Sequence, residues 1–121
     1  YPKTTGDLKK HKFISYGRGA PSPVFNPDWA LTLGSKNNKK RKPVMRVNSV
    51  YGLLLAVQSG VGLAALPDYI AFNIQNITKV LPNEIGPKTE THFVYPASLK
   101  NVARVTAFRN FIFSKVGEWK F

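Results

Sequence analysis

The sequence predicts an α/β domain in which helices flank a mixed sheet. The main observation is the order of segments, because short apolar runs alternate with helical patterns along most of the chain. Apolar residues make up 43% of the 121 positions, which is enough for a hydrophobic core and too many for a disordered chain. Cysteine is absent, which excludes a disulfide scaffold and thiolate metal sites.

The first segments are a short helix and a short strand. Thr5 is placed to cap a helix over Gly6–His11, and Asp7 lies in the first turn, where the helix dipole favours an anion. Lys12–Tyr16 alternates in the manner of a strand. Glycine and three prolines over the next ten or so residues exclude regular structure there.

A hairpin is predicted next. Trp29–Leu33 has the composition of a second strand, and Val44–Val47 has that of a third. Pro43 stands at the entry of the third strand, where a missing N–H costs least. The residues between the two strands, Gly34–Lys42, have turn composition, so we expect the strands to pair across that turn.

The clearest helix signal follows. Asn48 or Ser49 is placed to cap the helix, and a single apolar stripe then runs along one face. The stripe residues are Val50, Leu53, Leu54 and Val57. Gly60 stands where a left-handed residue ends a helix.

The remaining elements alternate again. Val61–Leu66 is a short apolar run, predicted as a buried strand parallel to a neighbour. Pro67 suits the first turn of a helix over Asp68–Ile74. Ile77–Leu81 and Thr91–Tyr95 are predicted strands, and Pro96 stops the second of them.

The longest predicted helix covers Asn101–Val116. Its apolar positions recur at helical spacing, which indicates one buried stripe. The stripe residues are Val102, Val105, Phe108, Ile112 and Val116, widened by Phe111.

The net charge of +12 raises the question of nucleic-acid binding. Basic residues are densest at Lys36 and Lys39–Lys42, and such a cluster can bind phosphate backbones. Specific contacts with nucleic acids favour arginine, however, whereas lysine (13) outnumbers arginine (5) here. A solvated turn is therefore the favoured interpretation, and a basic nucleic-acid-binding module remains an alternative.

No arrangement of residues indicates catalysis. The carboxylates are scattered, His11 and His92 are far apart, and no nucleophile elbow or phosphate loop is present. We therefore predict that the chain is not an enzyme and has no catalytic residue, metal site or cofactor. Gly17-Arg18-Gly19 fits an ordinary surface turn, or a turn that brings backbone close to a ligand and places Arg18 beside a carboxylate.

The chain carries no membrane or export signal. Its longest apolar run, Gly52–Val57, is much shorter than the roughly 20 residues of a membrane span. No cationic-then-apolar leader opens it, so we expect a cytoplasmic protein. Because it begins at Tyr1 rather than at methionine, we expect further chain upstream.

Several motifs together resemble the effector-binding domain of LysR-type transcriptional regulators. The main one is a strand, a helix, a Ser-Gly-x-Gly turn, an apolar strand and Leu-Pro, within Val44–Tyr69. The others are Gly6-Asp7-Leu8 before His11, Ile14-Ser15-Tyr16, Val80-Leu81-Pro82, Phe93-Val94-Tyr95-Pro96 and Ala103–Ile112. The match covers nearly the whole chain in the right order.

The resemblance implies a fold like a type 2 periplasmic-binding protein, with two α/β lobes and an effector in the cleft between them. Residues 1–90 would be the second lobe and 91–96 the return crossover strand. Residues 97–121 would be the C-terminal helix of the first lobe. Most of the first lobe and the N-terminal winged helix-turn-helix would lie upstream, so DNA would be bound outside this chain.

The resemblance also implies a set of ligand-binding residues. Ser15 would donate a hydrogen bond to a carboxylate or carbonyl, Tyr16 would line the wall with Gly17, and Arg18 would balance an anionic effector. Further contacts would come from strand and helix ends. These are Asn48, Ser49, Val61 and Gly62.

The implied partners are a small-molecule effector, DNA through the missing N-terminal domain, and further copies of the chain in a dimer or tetramer. No membrane partner is expected. The alternative within the same fold is a lobe of a solute-binding transport protein, which a signal peptide upstream would indicate. The apolar stripe of Asn101–Val116 would lack its lobe partner, so we expect this chain to self-associate.

Overall fold

The computed structural model of the protein describes residues 1–17 and 26–119. Within them the chain forms two compact units, Tyr1–Thr89 and Glu90–Phe121. The first unit contains strands β1 (Ile14–Tyr16) and β2 (Met45–Val47), helices α1 (Trp29–Thr32), α2 (Val50–Gln58) and α3 (Asp68–Ala71), and 3₁₀ helices Thr5–Lys10 and Lys36–Asn38. The second unit contains a 3₁₀ helix, Ala97–Leu99, and α4 (Ala103–Gly117).

Strand β1 has parallel neighbours on both sides. It pairs in parallel with β2 along its whole length. On its other edge Phe13 forms a parallel bridge with Leu63, supported by hydrogen bonds from Ile14 N to Leu63 O (2.8 Å) and from Leu63 N to Lys12 O (2.9 Å). The parallel direction predicted for Val61–Leu66 is therefore confirmed, although only Leu63 pairs and the segment is partly buried rather than fully buried.

Alternate residues of the segment Phe13–Tyr16, which contains β1, contribute to two apolar clusters on opposite faces of the sheet. Phe13 packs in one cluster with Leu8 and Leu31. Ile14 and Tyr16 pack in the other with Leu53 of α2. Because side chains alternate between the faces of a strand, this short segment contributes to both halves of the core.

Helix α2 follows its sequence signals closely. Ser49 caps it, because its side chain accepts a hydrogen bond from Gly52 N at 3.2 Å. Gly60 adopts the left-handed conformation, with φ of 74°. Both predictions are confirmed, and both depend on local chemistry that acts within one helical turn.

The predicted hairpin is wrong. Trp29–Thr32 is helical, and β2 pairs in parallel with β1 instead of with this segment. Five residues with alternating apolar character cannot distinguish a strand from one buried helical turn. The helical turn is held by two backbone hydrogen bonds. Trp29 N donates to the carbonyl oxygen of Asn26 at 3.3 Å, and Leu31 N donates to the carbonyl oxygen of Asp28 at 2.9 Å.

Other predicted elements are shorter than expected or absent. The helix expected over Asp68–Ile74 ends at Ala71, and Pro67 precedes it as the N-cap instead of entering its first turn. No residue of Ile77–Leu81 or Thr91–Tyr95 lies in a strand in the part of the chain that the structure describes. Leu81 has φ of 51°, which is incompatible with an extended strand.

Boundaries shift at both ends of the chain. The first helix is a 3₁₀ helix over Thr5–Lys10, preceded by Thr4, whose N and Oγ1 both donate to Asp7 Oδ2 at 2.9 Å. These two hydrogen bonds and one from the Lys3 backbone hold the pKa of Asp7 below its ordinary value. Helix α4 begins at Ala103, two residues after the predicted Asn101 start, because Val102 is its N-cap.

The second unit exposes much of its apolar surface. The rings of Phe108, Phe111 and Phe113 on α4 are all more than half exposed. Phe93 contacts α4, with its ring centroid 5.9 Å from that of Phe108, and also lies 5.6 Å from the ring centroid of Tyr95. The self-association expected of this chain stays a prediction.

Candidate functional site

The polar side chain at the centre of the candidate site is Ser15. Its parallel pairing with Arg46 places both side chains on the same face of the sheet, while Ile14 and Tyr16 face the opposite way. Ser15 is only 4% exposed, and it is the one buried polar residue found in the described part of the chain. A buried hydroxyl requires a partner, and the structure supplies one.

That partner is the carboxylate of Asp28. Ser15 Oγ donates to Asp28 Oδ1 at 2.7 Å. The Arg46 guanidinium donates to both carboxylate oxygens, from Nη1 at 3.0 Å and from Nη2 at 3.3 Å. Lys40 Nζ lies 3.5 Å from Asp28 Oδ2 on the exposed side. We call Ser15, Asp28, Lys40 and Arg46 the carboxylate cluster.

The electrostatics of the carboxylate cluster favour the charged form of Asp28. Burial of this carboxyl opposes ionisation, but the hydrogen bonds from Arg46 and Ser15 and the positive charges of Arg46 and Lys40 outweigh it. They hold the pKa of Asp28 below its ordinary value. Lys40 contributes little to stability because its side chain is largely exposed to solvent. The site therefore binds a carboxylate as an anion.

The backbone at the end of the two strands is tightly packed. Gly17 follows β1 and its N donates to Val47 O at 3.0 Å. A Cβ at position 17 would lie 3.1 Å from the Cβ of Asn48, which follows β2. Tyr16 OH donates to Asn48 O at 2.9 Å. Tyr16, Gly17 and Asn48 are therefore in contact at the carboxyl edge of the sheet, next to Ser15.

Ser49 lies at the same edge, at the start of α2. Its hydroxyl is occupied as an acceptor by Gly52 N. A Cβ at Gly52 would lie 2.6 Å from Val47 Cγ1, so the absence of a side chain there lets α2 begin close to the end of β2. Parallel sheets bind ligands at their carboxyl ends, so this edge is the favoured place for a ligand.

Val61 and Gly62 lie at the other edge of the sheet. They precede Leu63, which forms a parallel bridge with Phe13 and donates a backbone hydrogen bond to Lys12 O. This places them near the amino end of β1. A Cβ on Gly62 would meet Lys12 O at 2.6 Å, which indicates close packing of the two backbones. The structure does not bring these two residues to Ser15. Arg18, the cation expected from the sequence, lies outside the described residues.

Three residues of the carboxylate cluster, Asp28, Lys40 and Arg46, were not identified from the sequence as site residues. Arg46 lies there in a predicted strand, Lys40 lies in the basic run, and Asp28 carries no prediction. The signal that could have found Arg46 is the parallel pairing of Lys12–Tyr16 with Val44–Val47, which places it opposite Ser15. The incorrect hairpin hid that pairing, since it gave Val44–Val47 a different neighbour.

The basic run near Lys36 is partly tied into the fold. Arg41 Nη1 donates to Leu31 O at 3.1 Å, and the Arg41 guanidinium lies 5.4 Å from the centroid of the Phe13 ring. Lys40 faces Asp28. The interpretation of this run as a hairpin turn is wrong, because the strand that follows it, β2, is parallel to β1. Two cations of the run, Lys40 and Arg41, make contacts within the fold.

The described residues contain neither a candidate metal site nor a candidate membrane span. Across residues 1–17 and 26–119, no group of three or more His, Asp and Glu side chains is placed to hold a metal ion. In the same residues no helix combines the length and apolar character that crossing a bilayer requires.

Comparison with known proteins identifies the family of domains to which this chain belongs. The chain matches the LysR substrate binding domain over residues 2–116, so it belongs to that family. The family is a ligand-binding domain of transcriptional regulators and not an enzyme family. Its fold is of the periplasmic-binding-protein type, which agrees with the parallel α/β arrangement of the first unit.

A curated relative is similar at the level of sequence. It is an uncharacterized HTH-type transcriptional regulator of Haemophilus influenzae, 31% identical over 102 residues, a match that covers 78% of this chain. The chain spans about a third of that relative's length, since the match covers 33% of it. No solved structure matches the chain.

Proposed function

We propose that the protein is a LysR-type regulator in which this chain senses a small anion and thereby changes the binding of DNA or the activation of transcription. The observation that carries the proposal is that Tyr16, Gly17 and Asn48 are in contact at the carboxyl end of a parallel sheet, directly after Ser15 in β1. The family membership supports a binding role for this edge.

The proposed ligand contacts are those expected from the sequence, with the same roles. Ser15 donates a hydrogen bond and Tyr16 lines the wall, with Gly17, Asn48 and Ser49 as further contacts. Arg18, Val61 and Gly62 stay candidates, although Val61 and Gly62 lie at the amino end of β1. Charge favours an anionic ligand, because Arg46 and Lys40 lie on the same side as Ser15.

The proposed organisation follows the two units of the chain. Residues 1–90 form the second lobe of the effector-binding domain, 91–96 the return crossover, and 97–121 the C-terminal helix of the first lobe. The division between Thr89 and Glu90 supports this assignment. DNA binding belongs to an N-terminal winged helix-turn-helix, and the whole protein is a cytoplasmic dimer or tetramer.

A switch of this kind acts by population shift. A ligand that prefers one arrangement of the lobes increases its population, and the spacing of the DNA-binding domains changes with it. The shift in the equilibrium between the two arrangements is set by the difference between the ligand's affinities for them.

The test is a thermal-shift screen of small anions and neutral metabolites on the full-length protein, followed by DNA-binding titrations with any compound that stabilises it. Ser15→Ala should abolish stabilisation, whereas Ser59→Ala should retain it, because the Ser59 hydroxyl donates to Leu55 O within its own helix. A compound that stabilises the protein with no change in DNA binding would favour the solute-binding alternative. If no compound stabilises it, the sensing proposal is wrong.

A further inference from the structure

We propose that Asp28 is an internal ligand: its carboxylate occupies an oxyanion site formed by Ser15, Arg46 and Lys40, and a small carboxylate, sulfate or phosphate takes its place. This inference rests on the proposed function, since it names the ligand class of the same edge. It also adds Arg46 as an anion-binding residue.

The position of Asp28 in the chain is the first argument. Asp28 is the N-cap of α1, where an aspartate commonly accepts a hydrogen bond from the first turn of the helix. Here the side chain makes no capping bond. It turns instead to Ser15 and Arg46, on two strands that are distant in sequence.

The donors around Asp28 are the second argument. A serine hydroxyl, a guanidinium that contacts both oxygens, and an ammonium group are the groups by which proteins bind free carboxylates, sulfate and phosphate. The three donors come from β1, β2 and the basic run, and not from the segment that carries Asp28. A free anion would find the same donors.

The donors are also held in place independently of Asp28. Ser15 is buried within β1, which has neighbours on both sides. Arg46 Nη1 additionally donates to Tyr16 O at 2.7 Å, which fixes the guanidinium against the strand. When Asp28 leaves, Ser15 and Arg46 therefore keep their orientation and present a preformed site.

Competition for the Ser15 hydrogen is the third argument. A hydroxyl has one proton to donate, and in this structure that proton goes to Asp28 Oδ1. An external anion that uses Ser15 must displace Asp28. The apparent affinity is then reduced by the fraction of molecules in which Asp28 is detached. Displacement also links ligand binding to a movement of the segment that carries Asp28.

Calorimetric titration of the full-length protein with acetate, sulfate and inorganic phosphate, at constant ionic strength set by chloride, tests the proposal. Asp28→Ala should bind at least one of these anions about tenfold or more tightly than the wild type, because charge-assisted hydrogen bonds hold the internal ligand in place in most molecules. Asp68→Ala is the matched control. It removes the same charge from an exposed position whose ion-pair partner, Lys79, is also exposed, and its affinity should match the wild type.

A second substitution identifies the donor. In Asp28→Ala/Arg46→Gln the gain in affinity should disappear. The proposal is overturned if folded Asp28→Ala binds all three anions no more tightly than Asp68→Ala, or if the gain survives the loss of Arg46. Should Asp28→Ala fail to fold, Asp28→Asn keeps the shape of the side chain and removes its charge, and the same comparison applies.

A measurement on the wild type completes the test. The pKa of the Asp28 side chain can be followed by ¹³C NMR of its carboxyl carbon. It should rise toward the ordinary value when the protein is saturated with whichever of the three anions binds most tightly, because the displaced carboxylate loses its donors. An unchanged titration under saturation contradicts displacement. If acetate, sulfate and phosphate fail while another anion changes DNA binding through Ser15, only this inference is wrong. If no compound changes DNA binding, the proposed function is wrong as well.

Discussion

The substitution Arg46→Gln measures how much the carboxylate cluster contributes to stability. It removes the guanidinium hydrogen bonds to Asp28 at 3.0 and 3.3 Å and the bond to Tyr16 O at 2.7 Å. Hydrogen bonds to charged groups contribute about 1.5–3 kcal/mol each, and breaking a fully buried ion pair costs about 3–5 kcal/mol. The side chains of Arg46 and Asp28 are 21% and 15% exposed, so water compensates part of the loss. We expect the free energy of unfolding to fall by about 2–3 kcal/mol at pH 7.

The assay is urea denaturation at constant ionic strength over a range of pH. The folded-state pKa of Asp28 is depressed, so its contribution is complete above the unfolded pKa and is lost as pH falls through the folded pKa. The difference between wild type and variant should therefore be constant above about pH 5 and shrink below about pH 4.

The matched control is Lys42→Gln, which removes a positive charge from an exposed side chain in the same unit. It should change the free energy of unfolding by less than about 0.5 kcal/mol. A loss below about 1 kcal/mol for Arg46→Gln, with a pH profile parallel to that of the wild type, would refute the assigned coupling between Arg46 and Asp28.

Two further predictions concern packing. Gly62→Ala should destabilise the chain by about 1–3 kcal/mol, because its Cβ would lie 2.6 Å from a backbone oxygen that cannot move aside; a thermal melt equal to that of the wild type contradicts the close approach of these backbones. Leu31→Ala should cost about 2–5 kcal/mol, since Leu31 is buried in the first apolar cluster. Leu55→Ala, at an exposed position of α2, should cost much less in the same urea titration, and equal losses would show that Leu31 is not a core residue.

Elements that depend on local chemistry could be predicted from the sequence. Helix α2 begins at a serine cap and ends before a left-handed glycine, and both signals act within a few residues. The segment Trp29–Leu33 carries no such signal. Its few apolar residues fit a strand or a helical turn, and contacts with distant residues decide between them.

The candidate site was only partly predictable for a related reason. Ser15 and Tyr16 stand in a segment that resembles the family, so the resemblance made them candidates. Arg46 and Asp28 join them through strand pairing and a turn, across 31 and 13 positions of sequence. Such non-local contacts leave no periodicity in the chain, and one incorrect strand pairing is enough to hide them.

The two-sided support of β1 has a consequence for how this protein can diversify. The donors Ser15 and Arg46 belong to paired strands, and both strands also supply residues to an apolar cluster. Asp28 stands outside the sheet, at the start of a four-residue helix. If Asp28 is displaced as proposed, substitutions at position 28 would change which anion is admitted, and at what concentration, while the sheet stays the same.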